Sequence, residues 1–124
     1  MEVRFFKCMH CGNIVTFMKS SGVPVMCCGE KMQELIPGTS DGAVEKHVPV
    51  YTVEAGKVCV SVGSVDHPMV EAHFIEWVAV QTNKGVHFVE LKPGTEPKAC
   101  VSLCDDETVE AVFAYCNLHG LWKA

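Results

Sequence analysis

The chain has 124 residues, enough for one ordinary domain or for a small domain with a minidomain attached. Hydrophobic residues make up 48% and charged residues 20%, a globular rather than a disordered balance. The formal charge of −5 and the shortness of every apolar run exclude nucleic acid and membrane from the expected partners. The start of the chain, Met1-Glu2-Val3-Arg4-Phe5-Phe6-Lys7-Cys8, has no basic stretch followed by an apolar one, so a cytoplasmic setting is expected. Eight cysteines and six histidines stand out, and in that setting metal ligation is favoured over disulfides.

In chain order, the first 36 residues read as short extended pieces joined by tight turns. Gly12-Asn13 and Ser20-Ser21-Gly22 are turn signals around a predicted strand from Ile14 to Lys19. Pro37-Gly38-Thr39-Ser40-Asp41-Gly42 reads as a linker, which divides the chain into residues 1–37 and 38–124. The remainder reads as mainly β. Lys57 to Gly63 alternates, with Val58, Val60 and Val62 on one face and Lys57, Cys59 and Ser61 on the other. Residues 72–82 are rich in β-formers, and Asn83-Lys84-Gly85 turns into a strand from Val86 to Leu91. A short strand is predicted at Val101 to Leu103, then a turn at Asp105-Asp106-Glu107 and an alternating strand from Val109 to Tyr115. No segment shows a helical period. Short strands at this spacing predict an antiparallel sandwich or barrel.

Two groups of residues carry metal chemistry. Cys8-Met9-His10-Cys11-Gly12 is followed, after fifteen residues, by Cys27-Cys28-Gly29. Two cysteines three apart can wrap one ion across a turn, and glycine after each pair permits the backbone that turn needs. Four thiolates make a tetrahedral sulfur site suited to iron or zinc. The adjacent second pair sets it apart from zinc ribbons, which repeat C-x-x-C. His10, inside the knuckle, is expected to be exposed and not a ligand. Further along stand Glu45-Lys46-His47-Val48-Pro49, then His67-Pro68-Met69 with His73 and Phe74-Ile75-Glu76-Trp77, and finally Cys116-Asn117-Leu118-His119-Gly120-Leu121-Trp122. Together His47, His67, His73, His119 and Cys116 would supply four imidazoles and a thiolate, donors that suit iron, copper or zinc.

The C-x-x-C-G and C-C-G elements resemble desulforedoxin. The E-K-H-V-P, H-P-M-x-x-x-H-x-I-x-W and Y-C-N-x-H-G-x-W elements resemble the superoxide reductases, and the two sets together resemble the desulfoferrodoxins, over Cys8 to Trp122. The resemblance implies a small desulforedoxin-like domain followed by an immunoglobulin-like β-sandwich, in a homodimer. It implies two irons per chain. One would sit on Cys8, Cys11, Cys27 and Cys28, where zinc is the alternative. The catalytic one would sit on His47, His67, His73 and His119, with Cys116 axial and one position open. It further implies that superoxide is reduced by one electron to hydrogen peroxide without oxygen release, with re-reduction by rubredoxin, in an anaerobe or microaerophile. Lys46 would draw the anion in, and Glu45 would occupy the open position on ferric iron. Cys59, Cys100, Cys104 and His87 fall outside this pattern and are read as packing residues. Trp77, Tyr115 and Trp122 are expected to pack around the catalytic iron and keep it dry.

Three other readings compete on the residues alone: a two-site electron carrier, a zinc protein, and a superoxide dismutase. A closed sixth position, a colourless preparation, and release of oxygen would mark them respectively.

Overall fold

The computed structural model describes residues 2–40 and 42–124. Met1, and Asp41 of the predicted linker, lie outside them. The chain divides into two compact units, Met1–Ile36 and Pro37–Ala124.

The first unit is built from short strands, β1 (Phe5–Lys7), β2 (Ile14–Thr16), β3 (Met26–Cys27), β4 (Glu30–Lys31) and β5 (Gln33–Leu35). β2, β1 and β5 form one antiparallel sheet in that order, and β3 pairs with β4. So small a unit buries little: among the described residues, Phe5, Cys8 and Met32 make up its buried apolar residues. Clamping by a metal is what a unit with so thin a core needs. β2 ends at Thr16, three residues before the predicted end.

The second unit begins with a single helical turn, α1 (Val44–His47), too short to show a period in sequence. Seven strands follow: β6 (Pro49–Glu54), β7 (Lys57–Val62), β8 (Ile75–Thr82), β9 (Val86–Glu90), β10 (Lys98–Ser102), β11 (Val109–Cys116) and β12 (Gly120–Lys123). They form a three-stranded sheet, β10-β7-β6, and a four-stranded sheet, β12-β11-β8-β9. The chain passes from one sheet to the other between β7 and β8, back before β10, and over again before β11. This is the immunoglobulin-like sandwich that the resemblance implies. The core is where the inward faces meet: Val58, Val60 and Val62 of β7, Ile75, Val78 and Val80 of β8, Ala99 of β10, and Val112, Ala114 and Cys116 of β11.

Two strands escape the sequence reading. β6 is an edge strand, exposed from Val50 onward, so it shows no burial alternation. β12 is short and begins at a glycine. β10 begins three residues before the predicted Val101–Leu103 strand and ends one residue before its end. Gly38 and Gly42 of the segment read as a linker pack within the second unit. Gly38 N–H donates to Leu121 O at 2.9 Å, and a Cβ on Gly42 would stand 3.1 Å from Trp122 and 3.2 Å from both His47 and His119.

Candidate metal centres

Strand register gathers the second group of donors at one end of the sandwich. Pro49, at the start of β6, pairs with Val62 at the end of β7, and Cys116, at the end of β11, pairs with Ile75 at the start of β8. His47 closes α1 just before β6. His67 lies between β7 and β8, and His73 lies just before β8. Cys116 ends β11, and His119 sits in the turn to β12. A bulge in β8 helps: Tyr115 pairs with Trp77, but the next residue, Cys116, pairs with Ile75 rather than Glu76. Inward-facing Cys116 therefore opposes inward-facing Ile75.

The donors converge. Ring nitrogens of His47, His67 and His73 and the sulfur of Cys116 all lie within 4.8 Å of one another. His67 Nε2 is 3.1 Å from His47 Nε2, which is 3.1 Å from His119 Nδ1, and His119 Nδ1 is 3.8 Å from Cys116 Sγ. Backbone carbonyls settle which nitrogens face inward. His47 Nδ1 donates to Ala43 O and His67 Nδ1 to Pro68 O, each at 2.7 Å, so Nε2 of each is the lone-pair nitrogen. His119 is turned the other way and presents Nδ1.

Burial favours the neutral form of three of the imidazoles: it pushes His67 down to about 4 and lowers His47 and His73 as well. Burial likewise raises the Cys116 thiol, while the backbone N–H groups of Leu118 and His119 act against that rise. His73 Nε2 is buried with no hydrogen-bond partner. Lone pairs facing one another at 3.1 Å, with a buried orphan nitrogen beside them, are what a bound cation would satisfy. The donor set fits a transition metal, and a bound ion would hold the thiol deprotonated.

Asn117 organises this end of the sandwich. Its Oδ1 accepts the Phe74 N–H at 3.0 Å, and its amide donates to Ala72 O at 3.1 Å. The segment carrying His73 is thereby tied to the turn carrying Cys116 and His119. No spacing in the sequence names those partners. Trp122 stacks on His47 at 5.0 Å between ring centroids, and its Nε1–H donates to His119 O at 3.0 Å. Trp77 and Tyr115 do something else. They stack on each other at 5.4 Å on the face of β8 and β11 opposite Val78 and Ala114, whereas Trp122 packs on a ligand ring.

The first unit gathers Cys8, Cys11, Cys27 and Cys28, whose sulfurs also lie within 4.8 Å of one another. Cys8 is buried, whereas Cys11 and Cys28 are exposed. The Cys11 N–H points at Cys8 Sγ at 3.4 Å and pulls that thiol down to about 6, while crowding by the other sulfurs, Cys11 first, pushes Cys28 up to about 12. Such crowding is relieved by a shared cation. The Asn13 amide, which the sequence marks only as part of a turn, donates to Cys27 Sγ at 3.7 Å. Cys28 itself takes a positive φ of 52°, the cost of turning two adjacent cysteines toward one point. His10 is exposed, with Nε2 3.7 Å from Glu30.

The residues set aside as packing are bridged, exposed or hydrogen-bonded. Cys59 and Cys100 lie opposite each other on β7 and β10 and are joined as a disulfide, with Cys100 exposed. Cys104 is exposed as well. His87 Nε2 lies 2.8 Å from Glu107 Oε2. Cys59 and Cys100 face away from the core because the strand alternation that buries Val58, Val60 and Ala99 turns them outward, whereas His87 lies opposite core residue Val80 and reaches the buried Glu107 carboxylate.

Imidazoles and a thiolate gathered in one dry cleft, with a separate sulfur knuckle in a second unit, define a two-centre non-haem metalloprotein on a β-sandwich. The comparisons agree with that class. Residues 39–124 match the desulfoferrodoxin family and residues 1–35 match the desulfoferrodoxin N-terminal domain. The desulfoferrodoxin of Nitratidesulfovibrio vulgaris is 48% identical over 124 residues, covering 99% of this chain and 96% of that protein. A desulfoferrodoxin homologue of Archaeoglobus fulgidus is 46% identical, covering 98% and 96%. The crystal structure of the superoxide reductase from Treponema pallidum superposes with a TM-score of 0.85 at 36% identity, covering 100% of this chain and 99% of that one. The chain belongs to the desulfoferrodoxin family.

Proposed function

We propose that this chain is a superoxide reductase, reducing superoxide to hydrogen peroxide without releasing oxygen. The observation that carries the reading is the buried, unpartnered His73 Nε2 among converging imidazole nitrogens and the Cys116 sulfur. His47, His67 and His73 through Nε2, His119 through Nδ1, and Cys116 would hold the catalytic iron. Iron bound there supplies the electron that superoxide accepts. Cys8, Cys11, Cys27 and Cys28 would hold the second iron, with zinc as the alternative occupant. On this reading residues 1–37 carry the sulfur centre and residues 38–124 the catalytic one.

The chain's own residues then have definable tasks. Backbone N–H groups of Leu118 and His119 stabilise negative charge on Cys116. Trp122 and the close approach of Gly42 exclude water from one side of His47. Lys46 is exposed beside buried His47, and its charge reaches both His47 and His73. In a chain of net charge −5 this local cation is what an anionic substrate needs to enter. Exposed Glu45, next to it, would supply a carboxylate to the bound iron in its ferric state.

Rubredoxin is the proposed donor. Support comes from the exposed sulfurs of Cys11 and Cys28, flanked by exposed Met9 and Met26, which offer a small protein an apolar landing beside a redox centre. The homodimer and a cytoplasmic setting belong to the same proposal. No helix among the described residues is long and apolar enough to cross a membrane.

A defined pulse of superoxide on the fully reduced, iron-loaded protein tests the reading, with peroxide and oxygen both quantified. One peroxide per superoxide with no oxygen is the expected result. Oxygen at half the superoxide consumed would make it a dismutase, and consumption at the buffer rate would leave an electron carrier.

A further inference from the structure

The outer face of the three-stranded sheet carries a paired motif that the metal chemistry does not use. β7 reads Lys57-Val58-Cys59-Val60-Ser61, and β10 reads Lys98-Ala99-Cys100-Val101-Ser102. Both are Lys-x-Cys-Val-Ser. The antiparallel register sets them in mutual opposition: Cys100 faces Cys59, Lys98 faces Ser61, and Ser102 faces Lys57. Alternation turns Val58, Val60, Ala99 and Val101 toward the core, so the lysines, cysteines and serines share the outer surface. The result is a cysteine pair with a lysine two residues before each member, one at either end of the pair. β6 adds Thr52 opposite Cys59 and Glu54 opposite Lys57, and Lys98 Nζ lies 3.5 Å from Glu96.

We propose that Cys59 and Cys100 form a reversible dithiol–disulfide site, oxidised by hydrogen peroxide and returned by a dithiol donor. The strands are already held side by side by backbone pairing from Lys98–Ser61 to Ser102–Lys57 and by the core beneath them. Opening the bridge therefore leaves both cysteines in place, and closing it demands no refolding. Exposure of Cys100 gives small oxidants and thiols access. Cysteines that react with peroxide are partly exposed and have cationic neighbours; Lys57 and Lys98 share this face with the pair, Lys57 opposite Glu54 and Lys98 beside Glu96.

The steps balance. A thiolate of the pair attacks one oxygen of the peroxide, the O–O bond breaks, and the other oxygen leaves as hydroxide, which takes up the proton the thiol gave up and becomes water. The sulfur is now a sulfenic acid. The opposing thiol attacks that sulfur, the S–S bond forms, and the oxygen leaves as a second water. Two thiols have supplied two electrons to one peroxide. An external dithiol reverses the bridge by exchange and becomes a disulfide itself. The inference does not depend on the superoxide reading, because peroxide can be added directly.

The test uses the full-length, metal-loaded protein under anaerobic conditions. It is treated with excess dithiothreitol, freed of it, given hydrogen peroxide at one molar equivalent, and treated with dithiothreitol again. Cysteines are alkylated at each stage and mapped by mass spectrometry. Cys59 and Cys100 should be labelled after the first reduction, recovered as one cross-linked peptide after peroxide, and labelled once more after the second reduction. In Lys57→Gln/Lys98→Gln, closure should slow by roughly 3- to 10-fold. A bridge that opens only under denaturing conditions would make the pair a permanent staple and overturn the proposal. So would cysteines that stay labelled after peroxide, or an unchanged closure rate in the double variant.

Discussion

Gly63 follows β7 with a φ of +87°, and its N–H donates to Val48 O at 3.1 Å. A Cβ there would collide with the Val65 carbonyl and stand 2.7 Å from Lys46 O and 2.8 Å from Glu45 O. Those carbonyls belong to the turn that positions His47, so one methyl group would both strain the backbone and push the ligand-bearing turn outward. Gly63→Ala should lose about 1–3 kcal/mol of stability. It should also weaken metal binding at the histidine site while leaving the four-cysteine site filled, which thermal melts and metal analysis check. The role proposed for Lys46 is one of charge rather than contact. Lys46→Ala should slow association with superoxide by about 3- to 10-fold at low salt and flatten its dependence on ionic strength. Pulse radiolysis across a salt series measures both, and an unchanged slope would remove Lys46 from the entry path.

At the scale of elements, two side-chain clips hold the ends of β8. Near its start, Asn117 ties the segment before β8 to the turn after β11 through Phe74 N–H and Ala72 O. Asn117→Ala should cost about 0.5–1.5 kcal/mol, as expected for the loss of hydrogen bonds to half-buried and exposed backbone groups. The visible band of the thiolate-bound metal should shift as the donor geometry loosens, with Asn117→Asp restoring part of it. At the far end, Glu107 accepts from Thr82 Oγ1 at 2.6 Å and from the Cys104 N–H at 3.0 Å, with His87 Nε2 at 2.8 Å. These contacts, the Thr82 bond first, hold its carboxyl at about 2, below the ordinary 4.5. A depressed folded pKa contributes stability that is fully present above the ordinary value and lost as pH falls through the folded one. Urea melts of the wild type should therefore weaken between pH 4.5 and about 2, and Glu107→Gln should flatten that stretch without touching the superoxide reaction.

The whole molecule separates its two centres into units with cores of very different size. The first unit buries Phe5, Cys8 and Met32, whereas the second has a continuous core spread over both sheets. Metal removal should accordingly unfold the first unit and leave the sandwich standing. Cys28→Ser should reduce the iron content from two per chain toward one and melt the first unit early, while the pulse stoichiometry of superoxide to peroxide stays unchanged. Loss of that stoichiometry would show that the sulfur centre is needed for the chemistry itself. Tryptophan fluorescence follows the second unit alone, since Trp77 and Trp122 both lie within it.

Metal chemistry was legible from sequence because ligand identity is local. Cys8-x-x-Cys11, Cys27-Cys28 and Cys116-x-x-His119 are chelates that one turn can close, and no distant residue is needed to recognise them. Strands with one buried face, β7 above all, were legible for the same reason, since alternation is written every second residue. Tertiary structure decided what depends on residues far apart in the chain. Only the register of β6 on β7 and of β8 on β11 brings His47, His67, His73 and Cys116 within reach of one ion. Only hydrogen bonds to the Ala43 and Pro68 carbonyls choose Nε2 on His47 and His67. Register also set Cys59 against Cys100 and turned Trp77 and Tyr115 away from the metal cleft, neither of which composition or spacing contains. Residue type determines which donors are on offer, and long-range pairing determines where they meet.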